Sequence, residues 1–129
     1  MATVASAMSR NLASIEPGAA LVEAARAMVE RRVGSVLVLD GERLTGILTE
    51  RDILRVAASG RLEGGTVAEC MTRDPESIAP DDELEHAAVL MLHGGFRHLP
   101  VVEGGRVVGM LSMRDLMGHA WTDVAPRGV

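Results

Sequence analysis

The stretch GILTERD at Gly46–Asp52 returns 63 positions later as GMLSMRD at Gly109–Asp115. Both copies read glycine, two apolar residues, a hydroxyl residue, one variable residue, arginine and aspartate. We call this pattern the heptad. Its recurrence indicates a structural junction that the fold makes twice, or a binding site that is built twice.

The repeat extends over nearly the whole chain. With the same shift of 63, residues 4–17 (VASAMSRNLASIEP) align with residues 67–80 (VAECMTRDPESIAP) without a gap. Residues 36–54 align with 99–117 in the same way, and roughly a third of the aligned positions are identical. The chain is therefore an internal duplication of two similar units.

Each unit predicts the order β-α-β-β-α. A short apolar stretch, Ser14-Ile15 or Ser77-Ile78, precedes a segment with helical periodicity at about 19–32 or 82–93. Asp81 is a good N-cap for the second of these helices, and Gly94-Gly95 ends it. Two β-type runs joined through glycine then predict hairpins over 35–48 and 98–111, and the last helices begin near Glu50 and Met113.

The fold class predicted is mixed α/β (α+β), with unit 1–60, linker 61–65, unit 66–121 and a loosely held tail 122–129. A unit of about sixty residues has little core of its own. We therefore expect the two units to pack about a pseudo-two-fold axis. Further apolar residues on the last helices predict a homodimer; they are Ile53, Leu54, Val56, Ala57, Leu116, Met117 and Ala120.

Composition excludes several function classes. The net charge is −5, no basic stripe is present, and the chain has one Trp, one Phe and no Tyr, which argues against nucleic-acid binding. No apolar run approaches the ~20 residues that span a bilayer, and the N-terminus lacks the order of a signal peptide. We therefore expect a cytoplasmic protein with no membrane partner.

Metal-binding and catalytic constellations are not evident. His86 and His93 share a helix face but would lie ~10 Å apart, too far for one ion. The single cysteine, Cys70, aligns with Ala7, so we expect a small buried residue. No nucleophile is accompanied by a base and an orienting acid, so we predict no bound metal and no enzyme.

The heptad itself has two interpretations. The spacing Thr49-x-x-Asp52, and Ser112-x-x-Asp115, fits a capping box at the start of a helix. The same geometry fits a nucleotide site, because a helix N-terminus with a hydroxyl binds anions and a carboxylate one turn on can accept from a ribose diol. Spacing alone favours neither, and the two are compatible.

The full set of motifs resembles a known family. Two tandem β-α-β-β-α units, each with V-x-x-x-M-[ST], S-I-x-P and G-h-h-[ST]-x-R-D (h, apolar), are similar to a pair of CBS (cystathionine β-synthase) domains, a Bateman module. The resemblance covers about residues 1–121. It implies that a cleft between the units binds an adenine nucleotide (AMP, ADP or ATP) or a related adenosyl ligand. It assigns ribose to Asp52 and Asp115, phosphate to Thr49 and Ser112, and the base to Ser14, Ile15, Pro17, Ser77, Ile78 and Pro80.

The two units differ where relatives often carry basic residues. Arg97-His98 in the second unit align with Gly34-Ser35 in the first, so we expect two sites of unequal strength. In related modules, basic residues of one unit reach a nucleotide whose ribose is held by the other unit's aspartate. This implies a tighter site combining Thr49 and Asp52 with the two cations; the alternative is that Arg97 serves the Asp115 site.

The resemblance implies a regulatory, ligand-sensing protein without an obligatory cofactor. It would be a homodimer that signals to a separate effector protein. The alternative is a structural or interaction module that keeps the fold and no longer binds nucleotide.

Overall fold

The computed structural model describes residues 2–124, with side chains described to His119. The chain divides into two compact units. Unit A comprises residues 11–75, and unit B comprises residues 1–10 together with 76 onward. Each unit is thus completed by the N-terminal segment of the other sequence repeat.

Unit A contains β1 (Ser14–Ile15), α2 (Leu21–Arg31), β2 (Ser35–Asp40), β3 (Arg43–Thr49), α3 (Glu50–Ala58), α4 (Val67–Cys70) and β4 (Thr72–Arg73). Its sheet has the order β1-β2-β3-β4. β1 pairs with β2 in parallel, and the other pairs are antiparallel. The mixed α/β class and the predicted β-α-β-β-α order are confirmed.

Unit B contains α1 (Val4–Ala7), α5 (Leu84–Gly94), β5 (His98–Glu103), β6 (Arg106–Ser112) and α6 (Met113–Val124). The β5–β6 hairpin is extended at both edges by single bridges, Ile78 to Val101 in parallel and Ser9 to Met110 in antiparallel. These bridges stand where β1 and β4 stand in unit A. Helix α6 continues three residues into the segment predicted as a tail, and residues 125–129 lie outside the described part.

The buried faces of α2 and α5 follow the predicted period. Leu21, Ala24 and Met28 of α2, and Leu84, Ala87 and Met91 of α5, are all buried. Each set packs with its own hairpin, on Val36, Val38 and Leu48 in unit A and on Leu99, Val101 and Leu111 in unit B. Each unit therefore has its own hydrophobic core.

The short helices α1 and α4, which the sequence analysis did not predict, hold the exchanged segments in place. Val4 N donates to Asp82 O and Ala5 N to Pro80 O, both at 2.8 Å, within unit B. In unit A, Val67 N donates to Ala19 O at 2.9 Å. Because Val4 and Val67 are fully buried, each segment adds an apolar side chain to the core of the unit that it joins.

Several details differ from expectation. The N-cap of α5 is Glu83, not Asp81, since the chain becomes helical only at Leu84. α2 ends at Arg31 because Arg32 adopts a left-handed conformation with φ 56°. Cys70, expected to be buried, is half-buried against the unit A core.

The apolar faces predicted to bind a partner are only partly free. Val56 is buried, and Ile53 and Leu116 pack partly against the cores. Leu54 and Met117 are 69% and 64% exposed. Ala57 is also exposed, whereas the side chain of Ala120 lies outside the described residues. Three of the seven residues thus serve the fold of their own unit.

Candidate functional site

The heptad forms a strand-to-helix junction in each unit. β3 ends at Thr49, and α3 begins at the next residue; β6 ends at Ser112, and α6 begins at the next residue. The glycine of each copy lies three residues before the hydroxyl residue, inside the strand. In each unit, a hydroxyl at the end of the strand therefore lies next to a carboxylate in the first turn of the following helix.

Both junctions are capped, as the structural interpretation predicted. In unit A, Thr49 N donates to Asp52 Oδ2 at 2.9 Å, and Asp52 N donates back to Thr49 Oγ1 at 3.3 Å. In unit B, Ser112 N donates to Asp115 Oδ2 at 2.8 Å, and Asp115 N to Ser112 Oγ at 3.0 Å. Aspartate, although shorter than glutamate, closes the box in both units.

The caps leave some polar atoms for a ligand. Each carboxylate uses only Oδ2 for the bonds above, and both aspartates are half-buried. The Thr49 hydroxyl also donates to Asp52 Oδ2, at 3.0 Å. Ser112 Oγ donates to no group in the described part of the chain, so its proton is available to an acceptor such as a phosphate oxygen.

The basic pair of unit B lies beside its junction. His98 is the cross-strand partner of Ser112, and Arg97 O accepts from Met113 N at 2.8 Å. Arg97 is exposed and His98 half-buried. The matching positions in unit A are Gly34, whose carbonyl accepts from Glu50 N at 3.0 Å, and buried Ser35. The backbone is the same in the two units, but only unit B places cations at this position.

The S-I-x-P segments lie on the first edge of each hairpin. In unit A, Ile15 is half-buried against the core, Ser14 is exposed and Pro17 is half-buried. In unit B, Ile78 is a core residue at 4% exposure, so its side chain contributes to packing. Ser77 is exposed and Pro80 half-buried, as at the matching positions in unit A.

Two groups of residues near these elements were missed by sequence reasoning. Asp82 Oδ2 accepts from Ala79 N at 2.9 Å and fixes the turn before Pro80. The repeat could not reveal this contact, since alanine stands at the matching position 19. Met8 and Met71 cover the heptad glycines, and the repeated V-x-x-x-M-[ST] spacing was the available signal.

Glu69 shows the same capping chemistry at α4. Its carboxylate accepts from Thr66 N at 2.9 Å and from Thr66 Oγ1 at 2.8 Å. These two hydrogen bonds lower the pKa of Glu69, and the one from the Thr66 backbone contributes most. Capping by a hydroxyl and an acid three residues on is thus a recurrent device in this chain.

Other site classes find no support in the described residues. No group of three His, Cys, Asp or Glu side chains there could hold a metal ion. None of the helices in residues 2–124 combines the length and the apolar character needed to cross a membrane.

This architecture defines the protein as a tandem module of two α/β units with matched, capped strand-to-helix junctions. The CBS domain model matches residues 4–59 and again 67–121. The chain therefore belongs to the CBS domain family, as a tandem CBS pair.

Relatives and solved structures agree with this assignment. The CBS domain-containing protein YhcV of Bacillus subtilis is 36% identical over 90% of this chain and 84% of its own. A putative signal-transduction protein with CBS domains from Burkholderia ambifaria has a TM-score of 0.91 at 29% identity, over 99% of this chain and 100% of that one. CBSX2, a CBS-pair protein from Arabidopsis thaliana solved in complex with AMP, has a TM-score of 0.83 at 28% identity, over 95% and 98% of the two chains.

Some relatives are considerably longer. The chain spans 63% of an Acidianus ambivalens protein of 17.7 kDa that is 41% identical to it. It spans 20% of CBSCBSPB2 of Arabidopsis thaliana, at 40% identity. CBS pairs therefore occur both as nearly the whole of a protein and as one part of a larger one.

Proposed function

We propose that this CBS pair is a non-enzymatic regulatory module that binds an adenine nucleotide, or a related adenosyl ligand, as a signal. The observation that carries the proposal is the junction of unit B, where the backbones of Arg97 and His98 border Ser112 and Met113 at the start of α6 and the Ser112 hydroxyl donates to no described group. The AMP complex of CBSX2 supports the class of ligand.

The residues fit the parts of a nucleotide. The phosphate accepts from Arg97, His98 and the Ser112 hydroxyl, and the positive end of the α6 dipole favours its negative charge. An oxygen of a heptad aspartate that the cap leaves free, on Asp52 or Asp115, accepts from the ribose diol. The segments Ser14–Pro17 and Ser77–Pro80 each line a base pocket. Because positions 34 and 35 carry no cation, we expect two phosphate sites of unequal strength, and the one served by Arg97 and His98 is the tighter.

The output of this module is a shift in its conformational equilibrium. A ligand changes that equilibrium only by binding one state more tightly than the other. We propose that a homodimer in the cytoplasm passes this change to a separate effector protein.

The basic pair provides the decisive experiment. A thermal-shift screen with AMP, ADP, ATP, NAD and S-adenosylmethionine first identifies ligands, and AMP and adenosine are then titrated by calorimetry. Arg97→Ala removes a charge-assisted contact of ~1.5–3 kcal/mol, so we expect AMP affinity to fall roughly ten- to a hundredfold. Adenosine affinity should hardly change, because adenosine has no phosphate.

The matched control is Arg106→Ala, which removes the same charge at the opposite end of β6, ~20 Å from Ser112. It should leave AMP affinity unchanged. Equal losses for AMP and adenosine in Arg97→Ala would exclude a phosphate contact.

One observation favours the competing function of a structural module without ligand. Capping alone accounts for the position of both heptad aspartates. Failure of every nucleotide in the thermal-shift screen would favour that function.

A further inference from the structure

The turn between α5 and β5 carries the one phenylalanine of the chain, and its ring packs on a glycine. A Cβ added at Gly94 would overlap Cε1 of the Phe96 ring and would lie 2.6 Å from Cδ1 and 2.8 Å from Cζ. The ring is half-buried and also packs on the unit B core. The ring therefore occupies the space that a side chain at position 94 would need.

This contact fixes the residue directly before Arg97. Gly95 ends α5 in a left-handed conformation, and its N–H donates to Met91 O at 2.9 Å. Arg97 follows Phe96, and its carbonyl accepts from Met113 N at 2.8 Å. The backbone of Arg97 is therefore held on both sides, by the packed ring before it and by the first residue of α6 at its carbonyl.

A fixed backbone matters for this arginine because its side chain is exposed. A long, flexible side chain loses rotamer freedom when its guanidinium binds an anion. Holding the backbone in one place restricts the positions that the guanidinium can reach, and preorganisation of this kind raises affinity by lowering the entropic cost of binding.

Unit A makes the same turn with a different anchor. The positions of the glycine and of the ring are occupied there by Arg31 and Val33. Arg31 Nη1 donates to Leu12 O at 3.0 Å, and Val33 packs partly on the unit A core. Arg32, between them, is left-handed as Gly95 is. The turn itself thus requires neither a glycine nor a ring at these two positions, and the pair accompanies the cations of unit B.

We propose that Phe96 is a positioning residue for the phosphate site, because its ring, packed on Gly94, holds the start of β5 so that Arg97 is presented to the phosphate. This inference rests on the proposed function and adds a residue that supports its phosphate contact. Phe96 acts through Arg97 and not by touching the ligand.

Removing the ring tests the proposal by its effect on two ligands. Phe96→Val introduces the residue of the matching position in unit A. Calorimetry should show AMP affinity falling roughly three- to tenfold, a part of the loss expected when the charge-assisted contact is removed altogether. Adenosine affinity should stay at the wild-type value. The matched control is Val33→Ala, which truncates the corresponding side chain of unit A, where no cation follows, and should change neither affinity.

Displacing the ring without removing it is the second test. Gly94 is the exposed last residue of α5, so alanine suits the helix and only the ring opposes it. Gly94→Ala should lower AMP affinity as Phe96→Val does. The losses should not add in the double variant, because both changes remove the same contact. Additive losses would show that the glycine and the ring act separately, which overturns the proposal.

Amide exchange tests the positioning without any ligand. The Met113 N–H donates to Arg97 O, so its hydrogen exchange, followed by NMR, should be several-fold faster in Phe96→Val than in the wild type. The matched control in the same spectrum is the Glu50 N–H, which donates to Gly34 O at 3.0 Å in unit A and should exchange as in the wild type. Unchanged exchange at Met113 would overturn the positioning role.

The outcomes separate this inference from the proposed function. A wild-type protein that binds AMP no more tightly than adenosine overturns the phosphate site and this inference with it. A selective loss of AMP affinity in Arg97→Ala that is absent in Phe96→Val overturns only the positioning role. Equal losses of AMP and adenosine affinity in Phe96→Val would show that the ring supports the base pocket or the fold, and would also overturn it.

Discussion

Units A and B have the same backbone at the heptad but different chemistry around it. The hydroxyl of Thr49 donates to Asp52, whereas that of Ser112 donates to no described residue. Gly34 and buried Ser35 stand at the start of β2 in unit A, whereas Arg97 and His98 stand at the start of β5 in unit B. The positions that close the junction are shared, and the two positions at the start of the neighbouring strand have diverged.

The outer helices show the same division. α2 and α5 bury the same three positions, but Arg26 on one helix corresponds to Val89 on the other. Burial and capping constrain both copies equally, since both must fold. Solvent-facing positions carry no such constraint, so each copy can acquire its own ligand or partner.

The close packing of the heptad glycines should give the largest effect on stability. A Cβ at Gly46 would lie 2.6 Å from Met71 Sδ and 2.8 Å from Thr72 O. At Gly109 it would lie 2.5 Å from Met8 Sδ but 3.1 Å from Ser9 O. A methionine side chain can move more easily than a backbone carbonyl, so Gly46→Ala should cost more.

We expect a loss of ~2–3 kcal/mol for Gly46→Ala and ~1–2 kcal/mol for Gly109→Ala in urea unfolding. Gly18→Ala, where a Cβ meets nothing within 4 Å, is the control and should lose little. Equal stability of Gly46→Ala and Gly18→Ala would contradict the close approach of the Met71 segment.

Substituting the two heptad aspartates distinguishes a role in helix capping from a role in ligand binding. Asp52→Ala and Asp115→Ala should each lower stability by ~1 kcal/mol, as for a lost cap. The aspartate that holds the ribose should also lose ~1.5–3 kcal/mol of adenosine affinity, measured by calorimetry on the folded variant. Unchanged affinity in both variants would leave these residues a purely structural role.

Double-mutant cycles then identify which aspartate, Asp52 or Asp115, holds the ribose of the nucleotide that Arg97 contacts. Arg97→Ala is combined with each aspartate variant, and the pair that contacts one nucleotide should show non-additive losses of AMP affinity. Coupling with Asp52 supports the arrangement that the resemblance implies, in which basic residues of one repeat serve the aspartate of the other. Coupling with Asp115 supports a site within unit B.

The smallest effect concerns the ends of α2 and α5. Arg32 and Gly95 both adopt left-handed conformations, with φ of 56° and 72°. Glycine adopts this conformation without the steric cost that a side chain incurs. Arg32→Gly should therefore raise stability by ~0.5–1 kcal/mol in thermal unfolding, and Gly95→Ala should lower it by a similar amount. A loss of stability in Arg32→Gly would show that its side chain makes a compensating contact.

Much of the fold was predictable because its signals are local. The i, i+3, i+7 apolar positions of α2 and α5, the glycine turns of the hairpins and the hydroxyl-to-aspartate spacing all act within a few residues. The start of α5 was misplaced because Asp82, next to the predicted cap, bonds to Ala79 in a turn that precedes the helix. Val56 was assigned to a partner surface because periodicity identifies an apolar face but not what covers it.

The sequence by itself determined that the chain is a duplicated α/β protein with two similar strand-to-helix junctions. Repetition and short-range periodicity encode these features directly. Only the tertiary structure decided that residues 1–10 complete unit B and that residues 66–75 complete unit A. It also decided which residues border Ser112 at the start of α6, and which apolar side chains of α5 remain exposed. These depend on contacts between residues far apart in the chain, which periodicity and spacing do not encode.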